Sequence, residues 1–260
     1  MIGAVMAARR ALAAPHALAA SGALPPIPWR LRGLPVCASS ELELERWLAA
    51  VPPPLADGAT PGSPPPLAAP LAVLARRQRF GRGQRGRSWL SPAGGAWISA
   101  ALPWPADPTA AAAPGLAVAV GLALELEDLG LPVQLKWPND LLLDGRKIAG
   151  LLPRLRLRGG VVRWAQVGVG LNGRHRLLPA AAAVSLPAPA LAARVLRALE
   201  WAVAHAAQRE LVRRAAEERL GLPLPPLQHE GLDWQVEGLD GDGCLQLRHG
   251  SRRLTLHRHF

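Results

Sequence analysis

Four short segments carry the side chains from which chemistry could be built. The first, Gln78-Arg79-Phe80-Gly81-Arg82-Gly83-Gln84-Arg85-Gly86-Arg87-Ser88-Trp89, interleaves glycines with arginines ahead of a tryptophan. Glycine lets a backbone approach a ligand closely, and guanidinium forks match phosphate oxygens. Gly81, Gly83 and Gly86 have the spacing of a dinucleotide fingerprint, yet such a loop must open a helix, and Ser91-Pro92 and Gly94-Gly95 follow instead. Three readings stay open: a loop that folds around a polyanion, a solvated basic loop, and an Arg/Gly segment that binds nucleic acid.

The second segment is Lys136-Trp137-Pro138-Asn139-Asp140, continuing to Lys147-Ile148-Ala149-Gly150. Pro-Asn-Asp is an ordinary turn. Lys136, at the end of the strand-like Val133–Leu135, is either a compact cation aimed into a pocket or a strand-end lysine reaching for water. The third, Val167-Gly168-Val169-Gly170-Leu171-Asn172, alternates glycines in a strand, which marks a kink or the close approach of another backbone or a flat ligand. The fourth, Ala38-Ser39-Ser40-Glu41, is a helix cap or a set of hydroxyls and free amides for a polar ligand. The seven histidines show no metal-ligand spacing, and no serine has the GxSxG setting of a hydrolase nucleophile.

The elements that must position these segments are readable from periodicity. Ser40 with Glu43 has capping-box spacing, and Leu44, Trp47 and Leu48 follow on one helical face. Leu71–Leu74 and Ala96–Leu102 read as short apolar strands, Pro114–Leu129 as a helix with proline in its first turn, and Val133–Trp137 and Leu141–Leu143 as strands around the Pro-Asn-Asp turn. Leu151–Val169 reads as a hairpin turning at Gly159-Gly160, and Ala190–Leu220 as one long amphipathic helix. Short strands with Gly/Asp turns after Pro223 suggest a small all-β unit. Residues 52–70 are proline-rich and read as irregular. Residues 1–35, Ala/Pro-rich with four arginines and no acid, are expected to be a poorly ordered extension, a leader or an upstream start.

Composition limits the classes. The formal charge is +11 over 260 residues, but the chain holds only two lysines and two asparagines, so its arginines partly record a GC-rich genome. A lysine or asparagine that persists there sits where geometry matters, and three of the four lie between Lys136 and Lys147. Half the residues are apolar, enough for a sizeable core. No apolar run is long enough to span a membrane. Cys37 and Cys244 lie far apart, which excludes a disulfide scaffold or a cysteine zinc site and makes a reducing compartment the default.

In this order the segments resemble the biotin protein ligase family, over roughly residues 36–250. Its pattern runs from Ser-Thr-Asn at a helix start through Gly-Arg-Gly-(Arg)-x-Gly-Arg-x-Trp and Lys-Trp-Pro-Asn-Asp…Lys-(Leu/Ile)-(Ala/Gly)-Gly to Gly-(Ile/Val)-Gly-x-Asn. The counterparts are Ser39-Ser40-Glu41, Gly81–Trp89, Lys136–Leu141 with Lys147–Gly150, and Gly168–Asn172. The resemblance implies an α+β fold: a class II synthetase-like catalytic domain, a mixed sheet backed by helices, over residues 36–222, and an SH3-like barrel over 223–260.

It further implies an ATP-dependent ligase that forms biotinyl-5'-AMP with Mg²⁺ on the ATP phosphates and transfers biotin to a lysine of a carboxylase carrier domain. Ser39, Ser40, Glu41, Gln78, Arg82, Gly83, Gln84 and Lys136 would hold biotin. Arg85, Arg87, Trp89, Asn139, Lys147 and Asn172 would serve ATP, with Lys136 and Arg82 catalytic and no resident metal. Glu41 stands where the family has Asn, and Gln84 where a basic residue is frequent. Without a DNA-binding domain in the sequence, the expectation is a cytoplasmic ligase, monomer or weak homodimer, with no specific DNA and no membrane partner. A lipoate ligase, without its Arg-Arg-x-Ser-Gly-Gly-Gly run, and a nucleic-acid-binding module are the alternatives.

Overall fold

Along Leu71–Ala75 and Ala96–Leu102 successive side chains alternate between two faces of a sheet, and both faces are covered. A computed structural model describes residues 1–12, 27–50, 67–174, 181–222 and 224–257. The elements in its first half are α1 (Ile2–Ala11), β1 (Arg30–Leu34), α2 (Ser40–Ala50), β2 (Leu71–Ala75), β3 (Gln78–Arg82), β4 (Ser88–Ser91), β5 (Ala96–Leu102) and α3 (Pro114–Glu127). Then come β6 (Val133–Lys136), β7 (Asp140–Leu143), β8 (Arg146–Arg158), β9 (Val161–Leu171), α4 (Ala188–Ala204), α5 (Arg209–Glu217), β10 (Leu227–His229), β11 (Leu232–Leu239), β12 (Leu245–His249) and β13 (Arg252–Leu256).

The main sheet has seven strands in the order β1-β2-β5-β9-β8-β7-β6. β1 and β2 are parallel and the other pairs antiparallel, so the mixed sheet backed by helices expected from the sequence is present. Leu71, Val73 and Ala101 turn to one face and pack on Leu44 and Trp47 of α2. Ala72, Leu74, Ala100 and Leu102 turn to the other, joining the core built with α3 and α4. α3 is buried on nearly all sides, enclosed by the sheet, α4 and α5, and is apolar up to Leu124. A small four-stranded antiparallel meander, β10-β11-β12-β13, follows. It is tied to the larger unit: Trp137 Nε1 donates to Gly243 O at 2.9 Å, Arg209 Nε to Gly241 O at 2.6 Å, and the Leu239 amide to Glu217 Oε1 at 2.6 Å.

Four expectations need revision. The described parts of the stretch 1–35, residues 1–12 and 27–35, are packed rather than loose: Val5 of α1 is 1% exposed against the core, and β1 forms the sheet edge. Buried Glu200 of α4 fixes both parts, accepting from Arg9 Nε at 2.7 Å and Trp29 Nε1 at 2.6 Å. Residues 13–26 lie outside the described ones, as do 51–66 of the proline-rich stretch. The long helix over 190–220 is two, α4 and α5, because the chain leaves helical geometry at His205 (φ −107°, ψ 9°), whose ring stacks on Trp201 at 4.2 Å. The Gly/Arg segment is not a loop throughout but a two-stranded ribbon, β3–β4, closed by a 3-10 turn over Gln84–Gly86. The C-terminal unit is an open meander among the described residues rather than a closed barrel.

Between α3 and α4, Glu125 is fully buried and meets Arg194 and Arg197, each at 3.1 Å, while Arg194 also pairs with Asp128 at 2.9 Å. Burial pushes the Glu125 carboxyl up to about 7 against the pull of the two guanidiniums. A folded-state pKa above the unfolded value means that the unfolded chain releases this proton first, so stability is lost as pH rises through about 7. Denaturant midpoints of the wild type should therefore fall between about pH 5 and pH 8, and Glu125→Gln should flatten that fall; parallel curves for the two proteins would refute the role. Deleting residues 1–12 should lower Tm by about 5 °C or more, since it strips the core of Val5 and leaves Glu200 without Arg9. A shift under about 1 °C would instead fit a dispensable tail.

Candidate active site

On the α2 face of the sheet lies a cavity of about 240 Å³ whose walls come from the four segments singled out above. Its polar end is the start of α2. Ser39 and Ser40 are buried there, and Ser40 Oγ meets Ser99 Oγ of β5 at 2.8 Å. Gln78 of β3 clamps this end: its Oε1 accepts the Ser40 amide at 2.6 Å and its Nε2 donates to Ser91 Oγ at 2.8 Å. The sequence reading missed Ser99, although a lone hydroxyl inside the otherwise apolar Ala96–Leu102 was a signal.

Glu41, next on α2, is 5% exposed and also lines the cavity. Burial raises its pKa, opposed first by Arg154 of β8. The Arg154 guanidinium lies 2.7 Å from Glu41 Oε1, while Oε2 is buried without a hydrogen-bond partner. Glu45 one helical turn on pairs with Arg156 at 2.7 Å, so two acids of α2 face two arginines that alternate along β8. The carboxylate in place of Asn thus comes with its own counter-charge.

The same cavity also holds cations, and the charge of Arg82 is felt by Glu41. Arg82, Gly83, Gln84 and Arg87 reach the cavity from the ribbon, and Lys147 from β8. Lys147 Nζ pairs with Asp140 Oδ1 at 2.6 Å and stands 4.6 Å from the centre of the Trp89 ring. The indole of Trp89 lies across the backbone of two strands: a Cβ on Gly150 would come within 2.8 Å of it and one on Gly170 within 2.7 Å. The close neighbour that the alternating glycines imply is, at Gly170, this chain's own tryptophan.

Several assignments move. Lys136 does not reach the cavity: it is exposed at the end of β6, an edge strand, opposite Asp140 in the ladder. Lys147 lines the cavity, because the turn after β7 and a register shift at Leu141/Leu142 bring β8 back across the sheet. Asn172 is a structural residue, its Nδ2 donating to the carbonyls of Lys147 at 3.2 Å and Ala182 at 3.1 Å and so holding the backbone beneath the lysine. Asn139 lines the cavity while its Nδ2 donates to Leu151 O at 2.7 Å. Arg85 is exposed at φ 54° and absent from the walls. Ser39, Ser40, Glu41, Gln78, Arg82, Gly83, Gln84, Arg87 and Trp89 are brought together as expected.

The cavity thus offers hydroxyl and amide groups together with three cations, which suits a ligand that carries both polar and anionic groups. Residues 65–172 match the model of the biotin/lipoate A/B protein ligase family. The bifunctional ligase/repressor BirA of Escherichia coli is 40% identical over 104 residues, 39% of this chain and 32% of that protein. The biotin–[acetyl-CoA-carboxylase] ligase of Paracoccus denitrificans is 40% identical over 114 residues, 42% of this chain and 46% of that one. The matches therefore span less than half of these relatives' lengths, 32% and 46%. The fold is similar to that of the Aquifex aeolicus biotin protein ligase in complex with biotin and ATP, with a TM-score of 0.65 and 22% identity over 87% of this chain and 95% of that one.

The glycine shelf generates a test that needs no ligand. Gly170→Ala should destabilise the fold by about 1–3 kcal/mol, because the added methyl meets Trp89 in a filled space. Most of that loss should vanish when Trp89→Ala is the background, measured as a double-mutant cycle on denaturant midpoints. Equal losses in both backgrounds would mean that the ring is not what the glycine accommodates.

Proposed function

We propose that this chain, whose residues 65–172 match the model of the biotin/lipoate A/B protein ligase family, activates biotin with ATP and passes the biotinyl group to a lysine of a carboxylase carrier domain. The single observation that carries the reading is that Lys147, Arg82 and Arg87 line the same cavity as Ser39, Ser40 and Gln78. Biotin has a polar cyclic urea at one end and a carboxylate at the other. The hydroxyls and the Gln78 amide suit the urea, with Glu41 beside them as a further acceptor. Lipoate ends in an apolar disulfide ring, for which these polar groups are poor partners, so biotin is favoured within the family.

In the first half-reaction a biotin carboxylate oxygen attacks the α-phosphorus of ATP and pyrophosphate leaves. Two anions must meet, and Lys147 is placed to neutralise them while Arg82 and Arg87 take phosphate oxygens. To do so Lys147 exchanges part of its contact with Asp140 for the substrate. In the second half-reaction a carrier lysine attacks the acyl carbonyl and AMP leaves, and the ribbon bearing Gly83 and Gln84 covers the mixed anhydride against water. No cluster of three or more His, Cys, Asp or Glu side chains able to hold a metal occurs among the described residues, so Mg²⁺ would enter with the ATP phosphates. No described helix is long and apolar enough to cross a membrane, and we place the reaction in the cytoplasm, with the C-terminal meander as a reduced SH3-like module.

The test is biotin-dependent exchange of pyrophosphate into ATP. Wild type should catalyse it, and lipoate should not substitute. Lys147→Arg should lose at least about 100-fold, because a planar guanidinium cannot concentrate charge at the point where it develops. Lys136→Arg, at an exposed strand end, should stay within about threefold. The reverse pattern would move the catalytic cation back to Lys136.

A further inference from the structure

The β3–β4 ribbon stands outside the main sheet and has two different faces. Gln78, Arg82, Arg87 and Trp89 line the cavity. Phe80, 71% exposed, and Leu90, 70% exposed, do not line it and are the two most exposed large apolar side chains among the described residues. They are neighbours: between the pairs Gln78–Ser91 and Gly81–Trp89 the ladder bulges, leaving Arg79 and Phe80 opposite Leu90 alone. The ribbon is held in place, with the Phe80 amide donating to Ala38 O at 2.8 Å and the Arg79 amide to Cys37 O at 3.0 Å. Scattered apolar residues on a surface mean little, but a cross-strand pair on a fixed ribbon is a contact site without a partner.

Charge identifies the partner. From Arg76 to Ala106 the sequence has six arginines and no acid. Arg82 and Arg87 enter the cavity, while Arg76, Arg77, Arg79 and Arg85 are exposed and absent from its walls. A second copy of this chain would bring the same basic ribbon against itself, which like-charge repulsion opposes. An acidic domain would be steered to it and would cover Phe80 and Leu90. The ligase reading demands such a visitor: a lysine side chain is short, so the domain that bears it must rest on the rim of the cavity, and the ribbon is that rim.

We propose that the outer face of the ribbon, Phe80 and Leu90 flanked by Arg79 and Arg85, is the docking surface for the acidic protein domain whose lysine receives the acyl group. The proposal rests on the ligase reading, and two measurements separate their failures. Exchange of pyrophosphate into ATP needs no acceptor, whereas labelling of the carrier domain of an acetyl-CoA carboxylase needs docking as well. In the double variant Phe80→Ser/Leu90→Ser, kcat/KM for the carrier domain should fall on the order of 10- to 100-fold while exchange stays within about twofold. Arg79→Glu should add a loss that shrinks as salt rises, since the contact is exposed. Melting curves of the variants should overlay the wild type, because all three side chains are in water.

An unchanged carrier KM in the double variant would overturn the proposal, as would a parallel fall in exchange. A change in the sedimentation of the free ligase with carrier KM intact would assign the patch to contact between copies and overturn it too. Absence of exchange in the wild type would sink the ligase reading, and the docking surface with it.

Discussion

A carboxylate removed from water must find a cation, or give up its charge. Four acids in this protein are placed under that constraint, and much of the assembly follows from how each is answered. Glu200 draws in Arg9 and Trp29 and thereby seats the N-terminal helix and the strand that follows it. Glu125, answered by Arg194 and Arg197, joins the two central helices. Glu41, answered by Arg154, fastens the start of α2 to β8. Asp140 holds Lys147 in the cavity wall. The first two are architecture. The last two place the same physics in the lining of the cavity.

What local pattern encodes was legible. The alternation in Ala96–Leu102 and the Gly159-Gly160 turn are decided by neighbours in the chain, and β5 and the β8–β9 hairpin stand where periodicity puts them. What depends on distant partners was not. Nothing within residues 1–35 shows that Glu200 waits for Arg9. The break at His205 depends on a backbone turn and a stacked ring, and helical periodicity continues through it.

The site divides in the same way. The motif residues of α2 and the ribbon line one cavity, because each lies beside its own turn or cap. The choice between Lys136 and Lys147 was beyond the motif, since both belong to it. One sits at an edge and the other inside, and that is set by strand order and a register shift. Asn172 belongs to the motif as well, yet its amide supports the lysine's backbone rather than a ligand. Persistence of a scarce residue type therefore marks geometric demand without saying whether the demand comes from a substrate or from the chain itself.

The bonds from the C-terminal meander bear on how freely that unit could be traded for another. Trp137, within the turn that leads to Asn139 and Asp140 of the cavity wall, ends on the Gly243 carbonyl, and α5 supplies Arg209 and Glu217 to the same small sheet. A module attached by a linker can be replaced by any other that folds. This one shares hydrogen bonds with the turn beside the cavity, so a graft from a relative must bring partners for Trp137, Arg209 and Glu217 or leave polar groups stranded at the seam. Inheritance across this joint is expected to be by the whole interface, not by the sheet alone.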